Sequence, residues 1–175
     1  MELALDCQYD PLAFAQAFWP WGMDGFSPAI RTWQAEVLAY LSSQLGNPAT
    51  RYEPIQVAIA SGNGIGKSAL IAMILAWGMG SHPKCKAVVT AGKGEQLEGK
   101  TVPEVSKWFK SSLCADWFDV RAQSIRSTQT PDSESWRVDF VTWTEENPET
   151  FQGLQPWADH HYRVRRGFHH PASHL

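Results

Sequence analysis

The chain has 175 residues, of which 43% are hydrophobic and 19% are charged. This length and composition are typical of one folded domain and exclude a disordered chain. The formal net charge of −3 excludes an overall basic field of the kind that coats nucleic acid. The longest apolar run, residues 69–80, is too short to span a bilayer, and the three scattered cysteines are typical of reduced thiols in the cytoplasm.

Two helices are predicted in the first part of the chain. The first covers residues 10–21, where Asp10 can cap the N-terminus and Pro20 stops the helix. The second covers residues 28–46, because it begins with Pro28 and then repeats apolar side chains at helical spacing.

The centre of the chain predicts a strand, a glycine loop, a helix and a second strand. Residues 55–60 read IQVAIA and residues 86–91 read KAVVTA, and both are short apolar runs suited to buried strands. The apolar helix is expected over residues 68–80. This order is typical of a right-handed βαβ unit, so the two strands are expected to be neighbours in a parallel sheet.

Two further elements are predicted downstream. Residues 94–110 are expected to be helical, in two pieces around Pro103. Residues 135–143 alternate apolar and polar side chains, as a half-buried strand does. No internal repeat or low-complexity tract interrupts this order.

Between the first strand and its helix the sequence reads SGNGIGKS. This matches the phosphate-binding pattern G-x-x-x-x-G-K-[ST], with serine at its first position. Glycines let successive N–H groups turn towards an anion, and the helix N-terminus adds partial positive charge. Lys67 would then reach the β- and γ-phosphates of a nucleotide, and the Ser68 hydroxyl would ligate Mg²⁺. The predicted nucleotide-binding residues of the loop are Ser61, Gly62, Asn63, Gly64, Ile65, Gly66, Lys67 and Ser68.

Two other interpretations of the loop fit less well. A dinucleotide-binding fingerprint, G-x-G-x-x-G, would require glycine where Lys67 stands, and no acid follows the second strand to bind a ribose hydroxyl. A flexible turn that contains Gly-Lys-Ser by chance would need neither the strand before it nor the apolar helix after it.

A second signal lies at Trp33 and Gln34, on the helix that precedes the first strand. The amide of glutamine can both donate to and accept from the edge of an adenine base, beside an aromatic plate. On these two residues alone, a core tryptophan next to a solvated glutamine is the better interpretation.

Several motifs, taken in order, resemble the N-terminal ATPase domain of phage terminase large subunits, the motors that package DNA into proheads. The motifs are FWPWG (18–22), RTWQAEVL (31–38), ASGNGIGKS (60–68), VVTA (88–91), EQLEGKT (95–101) and ENPETFQGL (146–154). The resemblance spans about residues 10–154. The ordered set is much more specific than the glycine loop alone.

The resemblance implies an α/β fold of the P-loop NTPase, RecA-like kind: three αβα layers with a parallel sheet, incomplete at the C-terminus. It implies ATP and Mg²⁺ as cofactors and the cytoplasm of a bacterial host as the location. Double-stranded DNA, a portal ring and a small terminase subunit are the implied partners. Gln34 matches the family's adenine-reading glutamine, whereas Lys67 and Ser68 match its phosphate- and metal-binding residues. Thr90 matches the strand end that faces the nucleotide.

A P-loop motor also needs an acidic pair at the end of an apolar strand, one carboxylate for Mg²⁺ and one for the attacking water. The family carries this pair just after the stretch matched by residues 151–154, where this chain has a tail with five of its six histidines and no Lys, Glu or Ile. Read one base later, the codons of residues 164–168 can encode Phe-Asp-Glu-Ala-Ser. The tail is therefore interpreted as out of frame and poorly ordered, and the ATPase as truncated and inactive.

On this interpretation the chain divides into an N-terminal segment, residues 1–27, a partial ATPase domain, residues 28–154, and the tail, residues 155–175. Two alternatives stay open. In the first alternative, the chain is an intact small P-loop ATP-binding protein of another kind, whose acid is Asp139 or the pair Glu145 and Glu146. In the second alternative it is a non-enzymatic metal-binding module that uses the tail histidines, namely His160, His161, His169, His170 and His174.

Overall fold

The structure is a computed structural model that describes residues 2–23, 25–129 and 134–142, together with the backbone of residues 163–164. The helices are α1 (Glu2–Asp6), α2 (Pro11–Ala17), α3 (Thr32–Gly46), α4 (Lys67–Ser81), α5 (Gly94–Gln96) and α6 (Val102–Lys110). The strands are β1 (Gln56–Val57), β2 (Lys86–Ala91), β3 (Phe118–Val120), β4 (Ser124–Ser127), β5 (Arg137–Thr142) and β6 (Arg163–Val164). The prediction of an α/β fold is confirmed.

The first predicted helix forms as α2, because its N-terminus is capped. Oδ1 of Asp10 accepts a hydrogen bond from the backbone N–H of Ala13 at 3.0 Å. The same oxygen accepts from the Ser42 hydroxyl at 2.6 Å, which ties α2 to α3. The second predicted helix begins later than expected: α3 starts at Thr32, since the backbone of Arg31 is extended with φ −65° and ψ 142°.

The helix α4 is the centre of the hydrophobic core. Most of its side chains are buried, and α1, α2 and α6 pack around it. Gly80 permits the close approach of α2, because a Cβ there would lie 3.0 Å from two ring atoms of Phe14. Trp77 is buried and its Nε1 donates to the carbonyl of Cys7 at 2.9 Å, so the N-terminal segment shares this core.

Aromatic side chains join the segment after α2 to the helix α6. Trp19 donates from Nε1 to the carbonyl of Trp108 at 3.0 Å. The rings of Trp21 and Phe26 lie 5.9 and 5.4 Å from the ring of Trp108, at angles typical of aromatic packing. The helical region that ends in α6 is divided, but before Pro103 rather than around it: a π-helical turn, Leu97–Thr101, separates α5 from α6, and Pro103 lies in the first turn of α6, where its missing N–H costs nothing.

The main sheet has the strand order β2-β5-β4-β3. β2 and β5 are parallel from Lys86↔Arg137 to Ala91↔Thr142, whereas β4 is antiparallel to both β5 and β3. The sheet is therefore mixed, and the expectation of a parallel sheet is correct only in part. The connection of β3 to β4, residues 121–123, is short enough only for antiparallel neighbours.

The expectation that residues 55–60 and 86–91 form neighbouring strands is wrong. Only Gln56–Val57 of the first run is a strand, and it pairs in parallel with β6 through Gln56↔Arg163 and Val57↔Val164. β2 is paired instead with β5 along its whole length. Only two residues of the first run form a strand, so little of it is available to pair with the six residues of β2.

The predicted strand over residues 135–143 is confirmed as β5. Its burial alternates along the strand, as the sequence pattern indicates. Residues 143–162 and 165–175, and the side chains of residues 163–164, lie outside the described part of the chain. The predictions for the acids Glu145 and Glu146, for the tail histidines and for the order of the tail therefore stay predictions.

Candidate phosphate-binding loop

The glycine loop lies where the sequence predicts it, between β1 and the N-terminus of α4. Gly64 and Gly66 have φ values of +76° and +93°, the left-handed region that side chains with a Cβ resist. Gly66 is the residue that precedes the first turn of α4, and Lys67 opens the helix. The loop therefore delivers its backbone directly to a helix N-terminus, where N–H groups have no partner within the helix.

The side chain of Lys67 turns back over the loop. Its Nζ donates to the carbonyl of Gly62 at 2.6 Å, to the hydroxyl of Ser61 at 2.9 Å and to the carbonyl of Ser61 at 3.2 Å. The ammonium thus joins the first residue of α4 to the first two residues of the loop. A group bound within the loop would meet this positive charge at contact distance.

Two side chains from the start of α3 hold the C-terminal half of the loop. Arg31 donates from Nη1 to the carbonyl of Ile65 at 3.3 Å, and Gln34 donates from Nε2 to the carbonyl of Gly66 at 2.9 Å. Oε1 of Gln34 accepts from the backbone N–H of Arg31 at 3.2 Å. Both ends of the Gln34 amide are therefore bonded to the protein backbone.

The environment of Gln34 differs from both sequence interpretations. Its side chain is only 3% exposed, so it is not solvated, and the neighbouring Trp33 is half-buried. Gln34 lies beside the glycine loop. Its contact with Gly66 has no counterpart in the sequence pattern. The contact of Arg31 with the carbonyl of Ile65 was not predicted either. The spacing of three residues between Arg31 and Gln34 is that of a capping pair at the start of a helix.

Thr90 lies near the C-terminal end of β2, as predicted. It lines a groove between α4 and β2, together with the apolar side chains of Ile71 and Leu75. The thiol of Cys85 lines the same groove, and burial raises its pKa to about 12. The groove is therefore mostly apolar and lies along one side of α4.

The candidate acid Asp139 belongs to a network of charges on the sheet. Its Oδ2 accepts from Nε of Arg137 at 2.9 Å, and Arg137 also pairs with Glu134, which in turn pairs with Arg126. Asp139 stands in the middle of β5, opposite Val88 of β2. Its carboxylate is thus committed to a structural ion pair away from the strand end.

Comparisons of the chain with models of protein families, with curated proteins and with solved structures found no match. Within the described residues, no helix is both long enough and apolar enough to cross a membrane. In residues 2–23, 25–129 and 134–142, no three His, Cys, Asp or Glu side chains come together as metal ligands. The glycine loop and its contacts with α3 are the features on which a function can be argued.

Proposed function

We propose that residues 61–68 bind the phosphates of ATP together with Mg²⁺, and that the chain is the nucleotide-binding part of a DNA-packaging motor of the phage terminase type. The observation that carries the proposal is the glycine loop, which passes through the left-handed residues Gly64 and Gly66 directly into the N-terminus of α4. The order of the sequence motifs supports the terminase assignment.

The loop supplies three kinds of group to a triphosphate. Backbone N–H groups at the start of α4 donate hydrogen bonds, and the aligned peptide dipoles favour negative charge there. Lys67 exchanges its contacts with Ser61 and Gly62 for phosphate oxygens, because those contacts lie at the mouth of the same loop. Ser68, in the first turn of α4 and half-buried, is the residue that would ligate Mg²⁺.

Binding without appreciable hydrolysis is the activity proposed for this chain. Hydrolysis needs carboxylates at a strand end to hold the metal and orient water. Asp139 does not supply one, because its carboxylate is paired with Arg137 within the sheet. DNA, a portal ring and a small terminase subunit are the proposed partners of the complete motor, and the cytoplasm of the bacterial host is its proposed location.

The substitution Lys67→Ala tests this proposal. Its binding of Mg-ATP, measured by isothermal titration calorimetry, is expected to be at least about tenfold weaker, because the charge-assisted hydrogen bonds to phosphate are lost. The matched control is Lys110→Ala, which removes an exposed lysine from the end of α6. Equal affinity in all three proteins would overturn the proposal.

Hydrolysis separates the proposal from its nearest alternative. Phosphate release from Mg-ATP by the unmodified chain is expected to stay at background. Steady release that Lys67→Ala abolishes would instead identify a complete P-loop ATPase, whose acid lies outside the described residues.

A further inference from the structure

We propose that Arg31 and Gln34 are positioning residues that orient the last two peptide planes of the glycine loop, and that Gln34 therefore does not select the base. This inference rests on the proposed nucleotide site. It assigns the start of α3 to the phosphates, where the sequence resemblance assigns Gln34 to adenine.

The orientation follows from peptide geometry. In the part of the chain that the structure describes, no peptide bond is cis. In a trans peptide the carbonyl and the following N–H point to opposite sides. Arg31 donates to the carbonyl of Ile65, and the carbonyl of Gly66 accepts from both Gln34 and the backbone N–H of Leu70 in the first turn of α4. The N–H groups of the next residues, Gly66 and Lys67, consequently point away from the side chains of Arg31 and Gln34.

These two N–H groups are the donors that a phosphate needs. Both lie at the start of α4, where the first N–H groups of a helix have no carbonyl partner within it. Two such donors turned to the same side form the anion-binding end of a phosphate loop. The contacts from α3 therefore act through the loop backbone rather than on the ligand itself.

A side chain at position 66 would have to displace the Gln34 amide. A Cβ on Gly66 would lie 2.9 Å from Nε2 of Gln34, and the φ of +93° would also strain any residue other than glycine. At its other end, the Gln34 amide is fixed by the N–H of Arg31 at 3.2 Å. A side chain that is 3% exposed and bonded at both ends has little surface to offer a nucleobase.

A ligand without a base distinguishes the two roles of Gln34. The probe is magnesium tripolyphosphate, compared with Mg-ATP and Mg-GTP by calorimetry on the full 175-residue chain. The variant is Gln34→Met, which keeps the side-chain volume and neutrality and loses the donor to Gly66. Gln44→Met makes the same substitution elsewhere on α3 and is the control.

If Gln34 is a positioning residue, Gln34→Met weakens the binding of tripolyphosphate, of ATP and of GTP by a similar factor of about five to ten. The ratio of ATP to GTP affinity stays that of the unmodified chain. Gln44→Met changes none of the three affinities. Loss of ATP binding alone, with tripolyphosphate unchanged, would overturn the inference and return Gln34 to reading adenine.

A second variant and a second measurement keep the test independent of folding defects. Arg31→Lys retains the positive charge of an exposed residue and loses the guanidinium contact with Ile65, so tripolyphosphate binding should again weaken, by about threefold. In the ligand-free chain, Gln34→Met should shift the amide ¹H–¹⁵N resonances of Gly66 and Lys67, and Gln44→Met should not.

The outcomes also separate this inference from the proposed function. If the unmodified chain binds neither ATP nor tripolyphosphate, the nucleotide-binding proposal fails, and the positioning role fails with it. If the unmodified chain binds both and Gln34→Met binds both equally well, the positioning role fails alone.

Discussion

The loop at the N-terminus of α4 and the body of α4 are held by different kinds of interaction. At its N-terminus, residues 61–64 are exposed, and the loop is held by hydrogen bonds from Lys67 and from two side chains of α3. In the body of the helix ten of fifteen residues are buried, and most of them are apolar. The helix therefore places a polar, accessible loop on a base that the hydrophobic core keeps rigid.

This difference implies that stability and ligand binding respond to different substitutions. Removing an apolar side chain from the body costs transfer free energy and leaves a cavity. Removing an exposed side chain from residues 61–64 costs little stability, because it is already hydrated. The next three predictions concern the body of α4 and the thiol beside it, from the largest expected effect to the smallest.

The largest effect is expected for Trp77→Ala. Trp77 is 1% exposed and its Nε1 is bonded to the carbonyl of Cys7, so the substitution leaves a large cavity and removes a buried hydrogen bond. The free energy of unfolding, measured with urea, should fall by about 3–5 kcal/mol. Leu113→Ala, at a side chain that is 67% exposed, should change it by less than about 0.5 kcal/mol. A loss below about 1 kcal/mol for Trp77→Ala would show that the core does not centre on α4.

Smaller effects are expected at two glycines of the same helix, and the two substitutions should change the free energy of unfolding in opposite directions. Gly80→Ala should lower the free energy of unfolding by about 1–2 kcal/mol, because the new Cβ would press on the ring of Phe14 at 3.0 Å. Gly78→Ala should raise it by up to about 1 kcal/mol, since its Cβ would meet only Sγ of Cys85 at 3.5 Å and alanine favours helix. The melting temperatures of the two variants, compared with that of the unmodified chain, measure both effects. Equal shifts in the same direction would contradict the close approach of α2 to α4.

The smallest effect concerns the thiol beside the body of α4. Burial raises the pKa of Cys85 to about 12, so its thiolate fraction should still rise about tenfold from pH 8.5 to 9.5. An unperturbed thiol, with a pKa of about 8.5, would rise less than about twofold over the same interval. Alkylation with iodoacetamide, followed at the Cys85 peptide by mass spectrometry, gives the ratio. A plateau above pH 9 would mean that water reaches this flank of α4 as it reaches the loop.

Local signals explain which elements could be predicted from the sequence. The cap at Asp10, the apolar run of α4 and the alternation of β5 each act within a few residues of their own position. β3 and β4 carry no such signal, because they have three and four residues and β4 buries the hydroxyls of Ser124 and Ser127. Their pairing is set by neighbouring strands, which no local pattern records.

The candidate site shows the same limit. The glycine loop is predictable because spacing and residue type together specify a turn into a helix. The contact of Gln34 with Gly66 is not, since it joins residues that are 32 positions apart through the packing of α3 against the loop. The partner of β1 was missed for the same reason, because β6 lies far along the chain.

The strand order also predicts the sequence in which the protein assembles. β3, β4 and β5 follow one another, so their antiparallel pairs close small loops at low entropic cost. β2 joins only when β5 is present, and β1 must wait for residues 163–164. During synthesis from the N-terminus, we therefore expect the helical core to form well before the strand that leads into the glycine loop finds its partner. The glycine loop is then expected to mature after α4, the helix that it enters.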